Sequence, residues 1–317
     1  MAYSAGDTIL DDEYNIFVNS SSSPYGYNHF AGTGSTIYGL NQSSIATVSA
    51  GGTINASSWN SLFTGINNIS NHTNVSVTSS SVSAGDAIAI RSALVGDLSN
   101  LAAAVAAGST SATALSDRAA GSSTNGNTWN STSTIERSIT FANNATLRAF
   151  FNAGGSIKID PGTSGSVDGN KDTVFEELTA AVGVLEFKAH ATTRSGSGET
   201  QTSNDFGNGF HDLGSNSYQS KLKLTSDNSG YTSDYIEIFV KINAAVGSAT
   251  VLTVKMVGSD PAADDTYTSP NTSGVPANPN ECPALVLALT AKEPTSAQGL
   301  ASAIQFSSNA QVTNSAS

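Results

Sequence analysis

Apolar residues follow two rhythms along the chain. In the first third they recur near helical spacing: Ile9, Tyr14 and Phe17; Trp59, Leu62, Phe63, Ile66 and Ile69; Leu94, Val95, Leu98, Leu101 and Val105. That spacing puts them on one face of a helix. The run Ala87 to Ala107 is the strongest helix, because alanines favour it and Gly108 supplies a stop. Polar helix starters precede the other two runs: Asp11 or Asp12, and Asn55, Ser57 or Ser58. From Thr134 the period changes to two, and Ile135 to Phe141 reads as a strand. A short helix from Asn144 to Phe151 follows, then a Gly154-Gly155 turn into a strand from Ser156 to Asp160. Thr173-x-x-Glu176 has the form of a capping box opening a second short helix to Val182. Strands are expected at 184–193, 219–225, 234–243, 249–257 and 284–292. The clearest places Ile236, Ile238, Val240 and Ile242 on one face, with Glu237 and Lys241 on the other.

One phrase punctuates the helical part three times: Ser4-Ala5-Gly6-Asp7-Thr8-Ile9, Ser49-Ala50-Gly51-Gly52-Thr53-Ile54 and Ser83-Ala84-Gly85-Asp86-Ala87-Ile88. Its glycine makes a turn cheap, and its isoleucine can tuck under the helix that follows. The unequal periods exclude a regular solenoid. The expected organisation is a helical module over 1–118, a linker over 119–133, a β-sandwich domain over 134–293 and a polar tail over 294–317. The tail carries one apolar cluster, Leu300, Ile304 and Phe306. The fold class is therefore α+β: a small N-terminal helical module, then a mainly antiparallel β-sandwich with short inserted helices.

Composition changes the picture in one respect. Charged residues make up only 12% of the 317, about half the usual share, and Ser, Thr, Asn, Gly and Ala replace them. Neutral hydroxyls and amides suit subunit packing, where each buried charge would need a partner. The net charge is −12 with 13 basic residues and no basic cluster, which argues against nucleic-acid binding. The first twenty residues carry Asp7, Asp11, Asp12 and Glu13 without a basic leader, so no signal peptide is expected. No apolar run reaches the length of a membrane span. Sequons at Asn55, Asn68, Asn71 and Asn74 are what an Asn- and Ser-rich chain contains by chance.

Candidate chemistry is sparse. Cys282 is the single cysteine, which excludes an internal disulfide and fits a reducing cytosol. The histidines, His29, His72, His190 and His211, lie outside helical or hairpin range of one another. No nucleophile elbow or phosphate-binding loop occurs. Asp168-Gly169-Asn170-Lys171-Asp172 begins like a calcium loop, but Thr173 and Thr179 stand where Gly and Glu are needed. Asp260, Asp264 and Asp265 form an acidic loop within the Pro- and Asn-rich stretch 258–283. No catalytic residue, metal site or cofactor is expected. Aromatics on the polar loop 19–39, Tyr25, Tyr27 and Phe30 among them, are candidate partner contacts, as are Trp59 and Phe63 on the helix after the second phrase.

One stretch goes beyond composition. Ser138-Ile139-Thr140-Phe141-Ala142-Asn143-Asn144-Ala145-Thr146-Leu147-Arg148-Ala149-Phe150-Phe151-Asn152-Ala153-Gly154-Gly155-Ser156-Ile157 resembles a segment of virion structural proteins of tailed bacteriophages, including those infecting cyanobacteria. In those proteins a similar strand and an Arg-bearing short helix lead into Phe-Phe-Asn-Ala-Gly-Gly and another strand. Gly209 to Leu213, Tyr231 to Ile236, and Trp59 to Leu62 with Asn71-His72 extend the likeness. Its most specific part covers about twenty residues. Physically, Phe150 and Phe151 are expected to anchor a helix end on the sandwich, Asn152 to cap it, and the glycines to return the chain to the sheet. The resemblance implies a non-enzymatic tail, baseplate, neck or fibre-associated protein, made in the bacterial host cytoplasm and placed in the virion. Its partners would be other virion proteins and copies of itself. The alternatives are a receptor- or glycan-binding tail appendage in contact with the host surface, and a head decoration protein.

Overall fold

A computed structural model describes residues 11–32, 38–84, 91–126, 128–165, 170–263, 281–295 and 308–316. It is a mixed α+β protein with a small N-terminal helical part and a mainly β domain of two antiparallel sheets. The first and third copies of the phrase fall wholly or largely outside the described residues, as do Asp168, Asp264, Asp265 and the tail cluster Leu300, Ile304 and Phe306. Two compact units divide the chain. One takes Met1–Ser116, Ala142–Gly155 and Glu293–Phe306; the other takes Asp117–Phe141, Ser156–Lys292 and Ser307–Ser317.

The helical unit holds α1 (Asp11–Asn19), α2 (Tyr27–Ala31), α3 (Ala56–Thr73), α4 (Arg91–Ala106) and α5 (Asn144–Asn152). Three acids, Asp11, Asp12 and Glu13, occupy the first turn of α1, where the helix dipole favours them. Asn55 caps α3 by accepting from Ser58 N at 3.0 Å. Asn143 caps α5 in the same way, through Thr146 N at 2.9 Å. Gly108 ends α4 at φ +65°, with its N–H returned to Val105 O. The second copy of the phrase is a turn: Gly51 has φ +75° and Gly52 N donates to Ser49 O at 2.8 Å. Ile54 is half-buried just ahead of α3.

The β unit contains β1 (Leu115–Thr124), β2 (Thr132–Thr140), β3 (Ser156–Ser164), α6 (Asn170–Val182), β4 (Leu185–Phe187), β5 (Thr192–Arg194), β6 (Thr200–Asn204), β7 (Gln219–Thr225), β8 (Tyr235–Ile242), β9 (Val251–Ser259), β10 (Ala284–Pro294) and β11 (Ser308–Ala316). The sheets run β1-β10-β3-β4-β5 and β11-β2-β9-β8-β7-β6. They meet face to face. A Cβ on Gly258 of β9 would stand 2.7 Å from Leu285 Cδ1 of β10 and 3.0 Å from the Trp129 ring. Alternation along β8 is as the sequence predicts: Ile236, Ile238, Val240 and Ile242 are buried. On its other face Lys255 lies 4.0 Å from the Tyr218 ring centroid and 4.4 Å from that of Phe239, so even the outward cations rest on aromatic faces.

Several expectations are corrected. The stretch 119–133 is no linker: β1 reaches Thr124, β2 starts at Thr132, and Trp129 pairs with Cys282 as an isolated bridge. The tail 294–317 supplies β11, which pairs antiparallel with β2. The expected strand 184–193 is two short strands, because the chain turns at 188–191, where Lys188 N donates to Ala191 O. Helix α6 begins at Asn170, so Thr173 lies inside it and opens no capping box. The span 134–293 is not one domain, since Ala142–Gly155 belongs to the helical unit.

Candidate functional site

Four of the five residues expected to bind partners are core. Tyr27, Phe30, Trp59 and Phe63 are each 5% exposed or less. Trp59 receives the edge of Tyr14 at a centroid distance of 5.2 Å and stacks on Phe63 at 5.8 Å. The Tyr27 ring stands against Gly65 of α3, where a Cβ would approach it to 2.7 Å. Leu94, Leu98, Leu101 and Val105 of α4 are buried as well. Transfer of these rings out of water holds the helical unit together, which removes them as a free docking face. Tyr25 differs. It is half-buried and stacks on His29 at 4.2 Å, and Tyr38 lies 5.3 Å from it and 4.8 Å from His29. This Tyr25–His29–Tyr38 group is what remains of the aromatic loop at the surface. Burial lowers the His29 pKa from its ordinary value.

A repeated device links each of α1, α2 and α3 to a connecting segment that follows it in the chain. Asn15 of α1 donates Nδ2–H to Val48 O and accepts from Val48 N, both at 2.8 Å. Asn60 of α3 does the same with Val82, at 2.9 and 2.8 Å. Each asparagine lies eleven residues after the serine of its phrase, Ser4 or Ser49, and each valine immediately precedes the next phrase. The side-chain amide copies the donor–acceptor pair of a peptide group, so one residue satisfies both backbone groups of its partner. Asn28 of α2 repeats the arrangement on Ile45, at 2.8 Å in both directions. In the third unit Leu94 stands at the equivalent position, and buried Asp97 of α4 instead holds the segment ahead of its own helix: its Oδ2 accepts from the N–H and hydroxyl of both Thr78 and Ser79, at 2.7 to 3.0 Å.

The Phe-Phe-Asn-Ala-Gly-Gly segment lies in the helical unit. Asn152 Nδ2 donates to Gly39 O at 3.0 Å, and Ala153 O accepts from His72 Nε2 at 2.9 Å. His72 is fully buried and burial lowers its pKa, so its Nε2–H tautomer is the neutral form that makes this bond. Gly154 takes φ +82°, and a Cβ on Gly155 would approach Phe150 O to 2.5 Å.

The β unit contains a cluster that sequence reading does not assemble. Lys171, in the first turn of α6, places Nζ 2.6 Å from Asp260 Oδ2, and both side chains are 0% exposed. Cys282 Sγ–H donates to the same oxygen at 3.3 Å. Asp234, also fully buried, accepts from Ala262 N at 2.9 Å. Its pKa is raised by burial first, and further by the adjacent Asp260. Burial, reinforced by Asp260, also pushes up the Cys282 thiol, leaving it neutral and non-nucleophilic. Trp129 closes this end of the sandwich. Its backbone exchanges two hydrogen bonds with Cys282, its Nε1–H donates to Pro283 O at 2.7 Å, and its ring meets Phe175 at 4.8 Å. The cluster draws on positions 171, 234, 260 and 282, and no local motif joins them. The sole hint was one lysine and one cysteine in a chain sparing of both.

Folding also brings His190 and His211 into a stack at 4.9 Å, a pair that sequence spacing does not show. Among the described residues no group of three His, Cys, Asp or Glu side chains could hold a metal ion, and no helix is long and apolar enough to cross a membrane. No protein-family model, curated protein or solved structure matches the chain.

Proposed function

We propose that this chain is a non-enzymatic structural protein of a tailed-bacteriophage virion, a component of the tail, baseplate or neck that assembles through protein–protein contacts. The observation that carries the assembly role is the β6 edge of the six-stranded sheet. Thr200, Gln201, Thr202, Ser203 and Asn204 are all exposed and all uncharged. Sheet edges that must stay unpaired are usually guarded by lysine, proline or inward charge. A neutral hydroxyl- and amide-bearing edge suits pairing with another chain. The low share of charged residues supports the same reading, and the Ser138–Ile157 resemblance supplies the virion. Quantitative mass spectrometry of purified particles tests it: the chain should be present at a fixed copy number, and its absence from assembled particles sinks the proposal.

The Tyr25–His29–Tyr38 group favours a second reading, a host-binding appendage, since stacked, partly exposed aromatic rings suit sugar faces. Binding of the purified protein to host envelopes, abolished by Tyr25→Ala with Tyr38→Ala, would support it. Tyr27 is unsuitable for that test, because its loss would open the core.

A further inference from the structure

We propose that Lys171 and Asp260 condense into an intramolecular amide joining the lysine Nζ to the aspartate Cγ, with Asp234 as the assisting acid. The two groups already touch at 2.6 Å, come from α6 and from the end of β9, and lie 89 residues apart in the chain. The bond would staple the inserted helix to the six-stranded sheet.

Three features of the site favour condensation. First, amine and carboxyl are held together, so attack is effectively unimolecular. Second, both side chains are closed to solvent. With no water to solvate the ions, transfer of one proton across the 2.6 Å contact gives the amine and acid that react. Water released by the reaction escapes to bulk, and little water is present to reverse it. Third, a second buried carboxyl stands beside the first. Burial and the Asp260 charge keep Asp234 protonated above the usual carboxylate range, so it can donate where the oxyanion develops. The Cys282 thiol, a donor to the same Asp260 oxygen, adds to that polarisation. Trp129, which bridges Cys282 through its backbone, sets its ring against Phe175, one turn along α6 from Lys171.

The step balances without a co-reactant. A proton passes from the Lys171 ammonium to the Asp260 carboxylate. The neutral amine attacks Cγ, and the tetrahedral oxygen takes the Asp234 hydrogen bond. The Cγ–O bond then breaks as the leaving hydroxyl gains a proton relayed through Asp234, and the nitrogen returns its surplus proton to that carboxylate. One water departs, with no oxidation or reduction. Asp234 ends as it began.

Intact-mass spectrometry of the purified, folded chain tests this directly. The mass should fall short of the sequence mass by one water. Trypsin should release a branched peptide in which Ile159–Lys188, uncut at Lys171, is joined to Met256–Lys292. Lys171→Arg, which keeps the charge but cannot form this amide, should return to full mass. Asp234→Asn should slow or abolish the branch. A full-mass wild-type chain yielding separate peptides overturns the proposal and leaves an ordinary buried ion pair. Water loss without the branched peptide, as from a succinimide at Asp168-Gly169, overturns it too. A branch formed at the wild-type rate in Asp234→Asn overturns the role of that acid. The wild-type measurement decides the bond whether or not the variants fold.

Discussion

In the helical unit, connecting backbone is held by side chains; in the β unit, backbone holds backbone. Asn15, Asn28 and Asn60 each carry two hydrogen bonds to a single residue of a connecting segment, and Asp97 carries four. In the six-stranded sheet, β2, β8 and β9 run in register over eight or nine residue pairs with no side chain required. The first arrangement concentrates cohesion in a few amides, and the second spreads it along a ladder. The β unit also holds a cluster of buried ionisable groups, Lys171, Asp260 and Asp234. A chain poor in charge thus clasps its connecting segments with three amides and one carboxylate, and gathers three buried ionisable groups at one knot.

The comparison can be broken most forcefully at that knot. Lys171→Met would leave Asp260 buried beside Asp234 without its cation, and should cost the β unit about 3–5 kcal/mol in denaturant titrations. A smaller loss would mean that the knot is not a point of cohesion. Next in size is Gly155→Ala, where the added methyl meets Phe150 O and no flexible atom can yield. About 2 kcal/mol is expected, appearing as faster amide exchange in α5 while β8 and β9 stay protected. Asn60→Ala strips both partners from the Val82 backbone and should cost about 1–2 kcal/mol. Asn60→Asp, which keeps the acceptor and loses the donor, should fall between. If neither changes the stability of the helical unit, the asparagines are passengers.

The smallest effect is electrostatic. Burial lowers the His72 pKa, so below the ordinary histidine value the unfolded chain binds a proton that the folded one resists. The neutral form's stability is fully present above about pH 6.5 and is lost as pH falls below it. His72→Gln keeps a donor for Ala153 O and should flatten that dependence in the helical unit.

Much of this architecture is legible from periodicity. The strand at 234–243, the short helix at 144–151 and the stop at Gly108 follow from local chemistry, because alternation, capping and positive φ are decided within a few residues. What stayed hidden depends on distant partners. β1 and β11 are polar and gain strand geometry only by pairing, with β10 and β2 respectively. Trp59 and Phe63 look the same in sequence whether they face a partner or their own core; Tyr14 and Phe17 decide between the two. The asparagine clasps had a signal, an Asn eleven residues after the serine of two phrases and a Val before the next. The repeated phrase drew attention to its glycines instead. The Lys171 cluster had no such signal, since its members meet only once α6 and β9 are in place.

The proposed virion role is tested most directly by an image, at a resolution that traces chains, of the particle the chain would belong to. The account predicts this chain in the tail, baseplate or neck, with the uncharged β6 edge or the β unit around it in contact with a neighbouring subunit. A complete particle whose density leaves no place for the chain would contradict it.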